Sequence, residues 1–401
     1  MRVIVVGGGA AGFFAAVSVG EHHPQAEVLL LEKTDKLLAK VRISGGGRCN
    51  VTHHQTNIRK LAASYPRGEQ FLRKAFTHFA VADTVAWFAR RGVALKTEED
   101  GRMFPTTDDS GTIIRCLQDE ADRVGVRVRR RCGVHGLDVD ASGRFTLHVE
   151  GGGTLEADRV IVTAGGHPKA EGYAWLQAHG IGIVPPVPSL FTFNMPGDPV
   201  RALMGVSAAD VRVRIAGTGL ESRGPLLITH WGMSGPAILR LSAWGARTVH
   251  DMGYRFTVQL NWLGTAGEEP VRAALADAAL ARKQAHNANP FPLPQRLWGF
   301  LLHKAGIAPH RPWAEVARKD RNRLVDLLTN DRYTVAGKTT FKEEFVTAGG
   351  VALGEVDPHT MQSRTVPGLY FAGEVLDIDG ITGGFNFQAA WTTGHLAGRL
   401  L

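Results

Sequence analysis

The opening residues constrain this chain most. Val3 to Val6 are four β-branched apolar residues, the composition of a buried parallel strand. Gly7-x-Gly9-x-x-Gly12 follows, then Phe13-Phe14-Ala15-Ala16-Val17 as a helix start, then a second apolar run from Ala26 to Leu31 that ends at Glu32. Strand, glycine turn, helix and acidic residue in that register predict a βαβ dinucleotide fold. Gly7 permits the tight turn, Gly9 lets the backbone approach a pyrophosphate, and Gly12 lets helix and strand pack closely. The helix start, with Ala10 and Ala11, offers unpaired N–H groups and a positive dipole end to phosphates. Glu32, with Lys33 beside it, stands where ribose hydroxyls need an acceptor, and its charge repels a 2′-phosphate. No second fingerprint of this kind occurs: Gly180-x-Gly182 runs into Pro185-Pro186, and Gly349-Gly350 lacks the spacing.

A second glycine loop follows directly. It runs from Lys36 through Lys40 and Arg42 to Ser44-Gly45-Gly46-Gly47-Arg48-Cys49-Asn50. Three consecutive glycines between basic residues do not suit a helix or strand interior and predict a backbone nest against an anionic or planar ligand. Arg48 is a candidate to neutralise a phosphate or polarise a ring carbonyl, and Asn50 to fix the ring by hydrogen bonds. Cys49 has no second thiol a few residues away, so a packed thiol is expected rather than a redox pair.

The far end of the chain mirrors the first. Leu369-Tyr370-Phe371-Ala372-Gly373-Glu374 reads as a strand ending on glycine, and Glu374 and Asp377 are acceptors suited to ribityl hydroxyls. Gly383-Gly384 then starts a helix through Phe385, Asn386, Gln388, Trp391 and Leu396. Its N-terminus is expected to face the N1–C2 edge of a flavin, where reduction places negative charge. A chain that opens with one block and closes with the other has the pattern of an FAD protein whose last segment folds back onto the first.

Between these blocks, Arg127 to Val134 and Arg144 to Val149 read as strands of a small sheet; likeness to FAD-binding families makes Val134 a candidate for backbone contact with adenine. The segment from Arg159 to Gly166 reads as a buried strand returning to the nucleotide domain, ending near Ala164 and Gly165. Val211 to Ile215, Leu226 to Thr229 and Arg255 to Leu260 alternate as antiparallel strands. Gly235-Pro236 opens a short helix. Glu268 to about Arg282 and Trp313 to Leu328 are helical, and Phe345 to Val351 leads back. His230 and Ser234 fall near one turn, but no third group accompanies them, so a structural reading is preferred.

The Ser44–Asn50 loop, the Gly101-Arg102-Met103-Phe104-Pro105 turn and the Gly373–Gln388 block resemble a bacterial family of FAD-dependent oxidoreductases, the BaiN-like, HI0933-like or aminoacetone-oxidase-like family. Thr229-His230-Trp231-Gly232-Met233-Ser234-Gly235-Pro236 is similar to a further motif of that family. The sequence departs from the pattern at Pro225, Trp231, Met233 and after Gly165-Gly166, all on the substrate side. The resemblance implies an α/β fold: a Rossmann-like FAD/NAD(P)-binding domain of the glutathione-reductase type, with an inserted antiparallel β-barrel and a small helical subdomain. The expected domains are 1–189 and 336–401 for FAD, 190–265 for the barrel and 266–335 for the helices. The expected activity is hydride transfer between bound FAD and a small organic substrate or NAD(P)H, with NAD(P)H a transient co-substrate or O2 an acceptor. No residue is forced by spacing into a catalytic acid or base role.

Composition sets the rival readings. The chain has 401 residues, 44% hydrophobic and 21% charged, enough for two or three domains. Its net charge of +8 raises RNA as a partner, yet no stretch joins a dense basic run to interleaved aromatics. Three cysteines without a CxxC give neither a disulfide framework nor a zinc site, so no metal is expected. No apolar run approaches ~20 residues, so no membrane span is expected, and cytoplasm is the expected compartment. A basic FAD protein acting on RNA and a flavin-free NAD-linked dehydrogenase remain as alternatives.

Overall fold

The computed structural model describes residues 1–339 and 346–401. The chain divides into two compact units, Met1–Ser189 with Phe341–Leu401, and Leu190–Thr340. Phe345, which opens the returning segment in the sequence reading, lies outside the described residues.

The first unit is built on a parallel sheet of five strands. Strand β1 (Arg2–Val6) lies at its centre, between β2 (Glu27–Leu31) and the strand Arg159–Val162. Outside these stand Arg127–Arg129, beside β2, and Leu369–Phe371, beside Arg159–Val162. Val3, Ile4 and Val5 are wholly buried, as expected of a strand covered on both faces. The strand order reverses at β1, so the crevice between β1 and Arg159–Val162, at their carboxyl ends, is where an open α/β sheet receives a ligand.

Helix α1 (Ala10–His22) covers β1, and every residue from Ala11 to Gly20 is buried. A helix apolar all round needs cover on both sides. The last helix, Phe385–Gly398, supplies it. A Cβ at Gly394 would stand 2.8 Å from Ala11 O, and one at Gly398 would stand 2.5 Å from Ala15 O. Two glycines one turn apart therefore let the first and last helices meet backbone to backbone, and the Ser18 hydroxyl donates to His395 O at 2.8 Å across the seam.

Three smaller sheets complete this unit. Val134–Val139, Phe145–Val149 and Thr154–Ala157 form one antiparallel group. Strand β3 (Thr52–His53) pairs with Arg102–Pro105, which pairs with Leu95–Thr97. Ile183–Ser189 pairs with Val346–Val351. The small sheet begins at Val134; Arg127–Arg129, expected there, instead edges the parallel sheet with Leu29, Leu30 and Leu31 as partners.

The second unit holds an antiparallel sheet of seven strands, among them Ser207–Ile215, Glu221–Ile228 and Arg255–Asn261. Helices Pro236–Trp244, Glu268–Leu275 and Arg318–Asn330 fall where alternation and proline placed helical turns. A further helix, Gln295–Ala305, was not foreseen, because prolines flank it and Gly299 interrupts its pattern. Leu297, Trp298 and Leu328 share one core with Val213, Val258 and Leu260, so strands and helices here pack as one body.

Candidate functional site

The turn after β1 is shaped by close backbone approach. Gly7 has φ +121°, its N–H donates to Leu31 O at 2.8 Å, and a Cβ there would lie 2.4 Å from Thr163 O. A Cβ at Gly12 would lie 1.8 Å from Gly7 O. At Gly9 a Cβ would meet nothing within 4 Å. Gly7 and Gly12 thus close the turn, while Gly9 faces open space. The first amides of α1, around Ala10 and Ala11, have no intrahelical acceptors, and the first bonded amide is that of Phe13, to Gly9 O at 3.0 Å.

Glu32 is drawn up to this turn. Its Oε2 accepts from Gly8 N at 3.0 Å, and its Oε1 accepts from Thr34 N and the Thr34 hydroxyl, each at 2.8 Å. Lys33 is exposed beside it. Cys132 N donates to Glu32 O at 2.9 Å, which brings half-buried Val134 to the same end of the sheet.

The second glycine loop breaks helix α2 (Ala39–Gly47). Helical backbone stops at Ser44, and Gly45, Gly46, Gly47 and Cys49 all take positive φ. Such a left-handed run is open to glycine and costly for Cys49. A Cβ at Gly46 or Gly47 would meet nothing within 4 Å, so this loop too presents bare backbone to open space. The Asn50 side-chain amide, oriented by its partners, donates to Thr52 O at 3.1 Å and accepts from Gly384 N at 3.0 Å. A Cβ at Gly384 would stand 2.5 Å from Thr52 O. The loop and the start of the last helix are therefore locked together.

The last segment is held from several sides. The Tyr65 hydroxyl donates to Phe385 O at 2.6 Å, and the Asn386 amide accepts from Gly380 N and donates to Gly380 O. His53 Nδ1 lies 3.2 Å from Gly383 O, and its ring stacks on Phe385. Trp391 Nε1 donates to Val51 O at 2.8 Å. Gly373 N donates to the Thr393 hydroxyl at 2.9 Å, and a Cβ at Gly373 would be 2.7 Å from that of Ala11. Lys40 pairs with Glu374 at 2.5 Å, while Glu374 Oε1 accepts from Thr347 N at 3.0 Å. The Thr347 hydroxyl beside it is buried with no hydrogen-bond partner among the described residues. Asp377 N donates to Val351 O, and Gly165, with φ +76°, again faces open space next to exposed Ala164.

Two expected contacts take another form. Arg48 lies over the Phe104 ring and pairs with Glu98 at 2.6 Å and Asp108 at 3.5 Å, so its charge is met within the protein. Gln388 is wholly buried; its Oε1 accepts from the Thr52 and Thr84 hydroxyls at 2.6 and 3.1 Å, and it braces the site from behind. Cys49 is buried, and burial pushes its thiol up to about 12, which agrees with a packed thiol. His230 and Ser234 share no side-chain hydrogen bond among the described residues; Arg201 Nε donates to His230 O. Sequence reasoning missed Thr163, Thr347 and a buried Arg67–Asp379 ion pair joined by Ser189, whose hydroxyl lies 2.5 Å from Asp379 Oδ2. Burial pushes the Asp379 carboxyl up, and Arg67 opposes that. Thr163 stood legibly before Ala164-Gly165, but residues 312 apart, as in the ion pair, leave no local signal.

These residues fit FAD. Bare glycine backbone at Gly9, Gly46, Gly47 and Gly165 borders open space, Glu32 closes the βαβ turn, and an orphaned hydroxyl stands beside Glu374. Fold and site together define a Rossmann-type FAD-dependent oxidoreductase, which sets aside the flavin-free alternative. Residues 1–400 match the HI0933-like protein Rossmann domain family, and the chain belongs to it. It is 30% identical to a 3-dehydro-bile acid delta(4,6)-reductase of Clostridium scindens, covering 99% of this chain and 98% of that one. It is also 30% identical to a ribosomal RNA dihydrouridine synthase of Escherichia coli, over 97% of this chain and 95% of that one. Among solved structures, the 3-ketosteroid delta1-dehydrogenase of Sterolibacterium denitrificans shares the fold, with a TM-score of 0.53 at 13% identity, over 99% of this chain and 98% of that one. No helix among the described residues is long and apolar enough to cross a membrane.

Proposed function

We propose that this enzyme reduces a carbon–carbon double bond conjugated to a carbonyl, with NAD(P)H as the source of electrons. The observation that carries the reading is that two whole-length relatives, each 30% identical, carry names that describe this one bond change. A 3-dehydro bile acid with double bonds at 4 and 6 is a conjugated enone, and uridine becomes dihydrouridine when the double bond conjugated to its carbonyl is reduced. Bound FAD supplies hydride exchange.

The chain's own residues bind and orient. The α1 amides and Gly9 would receive the pyrophosphate, and Glu32 the adenosine ribose. Glu374, Asp377 and the Thr347 hydroxyl would meet the ribityl chain, with Lys40 holding Glu374 in place. Asn50, Gly383 and Gly384 would meet the flavin ring, and the start of the last helix would stabilise negative charge arising on it. The substrate is a small organic molecule.

The test is anaerobic. The flavin is reduced, then mixed with a 3-oxo-Δ4 steroid or a simpler enone, and its absorbance is followed. Return of the oxidised spectrum with formation of the saturated ketone supports the reading. Reoxidation by O2 alone, with every enone inert, sinks it. A second reading is favoured by the Escherichia coli relative and the +8 charge: the same bond change on RNA.

A further inference from the structure

A cavity of about 340 Å³ opens on the first unit, walled by α2 and the helix Ser110–Arg123. Lys36, Arg42 and Arg130 line it, and of the three Arg130 also acts electrostatically on the nearby Asp35 carboxylate. The one carboxylate in its wall, Asp35, is already gripped by Arg131 through both oxygens at 2.5 Å. The local balance is therefore four cations, Lys36, Arg42, Arg130 and Arg131, around one carboxylate. Leu37 and Ile43 supply an apolar wall. Leu37 is backed by the nucleotide turn, since a Cβ at Gly8 would be 2.9 Å from its Cδ2, and Leu38 N donates to Gly8 O at 2.9 Å. Ile43 is the last helical residue before the loop that carries Asn50. The helical part of α2 spans only ~7.5 Å, so the cavity stands within an extended dinucleotide's reach of that loop.

We propose that this cavity receives the adenosine 2′-phosphate of NADPH, with Arg42, Arg130 and Lys36 meeting the phosphate and Leu37 and Ile43 meeting the base. This rests on the reading of NAD(P)H as the electron donor. The βαβ turn cannot serve, because the Glu32 carboxylate at its mouth repels a 2′-phosphate. A second nucleotide must dock elsewhere, and a phosphate monoester needs converging cations with forked donors, as the two arginines offer. A nucleic-acid strand instead needs a groove of cations along its length, whereas these gather at one spot.

The test is calorimetric binding of NADP+, NAD+ and 2′,5′-ADP to the FAD-loaded protein. NADP+ and 2′,5′-ADP are expected to bind at least about tenfold more tightly than NAD+. Arg42→Ala and Arg130→Ala should each weaken NADP+ by roughly tenfold, leave NAD+ unchanged and keep the FAD content of the wild type. Equal affinities for NADP+ and NAD+, or wild-type NADP+ binding in both variants, overturn the proposal, as does displacement of 2′,5′-ADP by a short RNA oligonucleotide with equal potency. Failure of the enone reaction with chemically reduced flavin is a separate result, which sinks the proposed reaction and leaves this binding measurement standing.

Discussion

Single residues divide here into those that make the site's shape and those that leave it room. Gly12 and Gly9 belong to one motif, yet a methyl group meets the Gly7 carbonyl at the first and nothing at the second. Gly12→Ala should destabilise the protein by about 3 kcal/mol or more, since the turn must spread to admit it. Gly9→Ala should cost less than about 1 kcal/mol and instead weaken FAD, because it fills the approach to the pyrophosphate. Thermal melts with and without added FAD separate the two, and similar losses of fold in both would refute the distinction. Cys49 offers a second check. A thiol pushed up to about 12 by burial is protonated at neutral pH. The native protein should resist iodoacetamide at pH 8 and label at Cys49 only after unfolding. The close approach at Gly12 was legible in the sequence, because its main partner, Gly7, stands only five residues earlier in the same motif. The sequence did not disclose that Arg48 spends its charge on Glu98 and Asp108, since those partners arrive from 50 and 60 residues further on.

At the level of elements, the seam between α1 and the last helix joins the two ends of the chain. Both helices were legible from glycine starts and apolar runs, but their contact was not, because Gly394 and Gly398 gain meaning only when Ala11 and Ala15 lie opposite. His395 sits in this seam, stacked on Phe79, with His22 and Arg399 nearby and Asp83 opposing them. Burial first, then His22 and Arg399, pull its imidazole down from 6.5 to about 4. A base with a depressed folded pKa is bound more tightly by protons in the unfolded chain. Stability is therefore intact above about 6.5, falls as pH drops towards 4, and has lost roughly 3 kcal/mol below that. Melts between pH 7 and 4.5 should show this slope, and His395→Phe, which keeps the stack, should flatten it. A variant as acid-sensitive as the wild type would place the slope elsewhere. The Arg127–Arg129 strand was legible as a strand but not its place beside β2, and the Gln295–Ala305 helix was not legible at all; in both, tertiary neighbours decide the outcome.

Across the whole molecule, most of the 46 lysines and arginines are balanced by 38 carboxylates, so the charge open to a phosphate backbone is the net +8 and not the full basic content. Arg67, Arg91, Arg102, Arg123, Arg127 and Arg131 each face a carboxylate, as Arg48 does. Paired guanidinium groups have little counterion release to offer a phosphate backbone. An enzyme acting on a small enone should then hold ribosomal RNA only through the residue of this charge, in the non-specific range near 10⁻⁴–10⁻⁶ M at physiological salt. Filter binding over a salt series tests this at the right scale, because it reads the sum of all contacts rather than any one. The expected plot of log affinity against log salt is linear and shallow, and RNA from any source should bind alike. Nanomolar binding that survives ~0.2 M salt and selects ribosomal RNA would instead require base or shape contacts. That result would transfer the enone chemistry from a free small molecule to a nucleobase, with the FAD site unchanged.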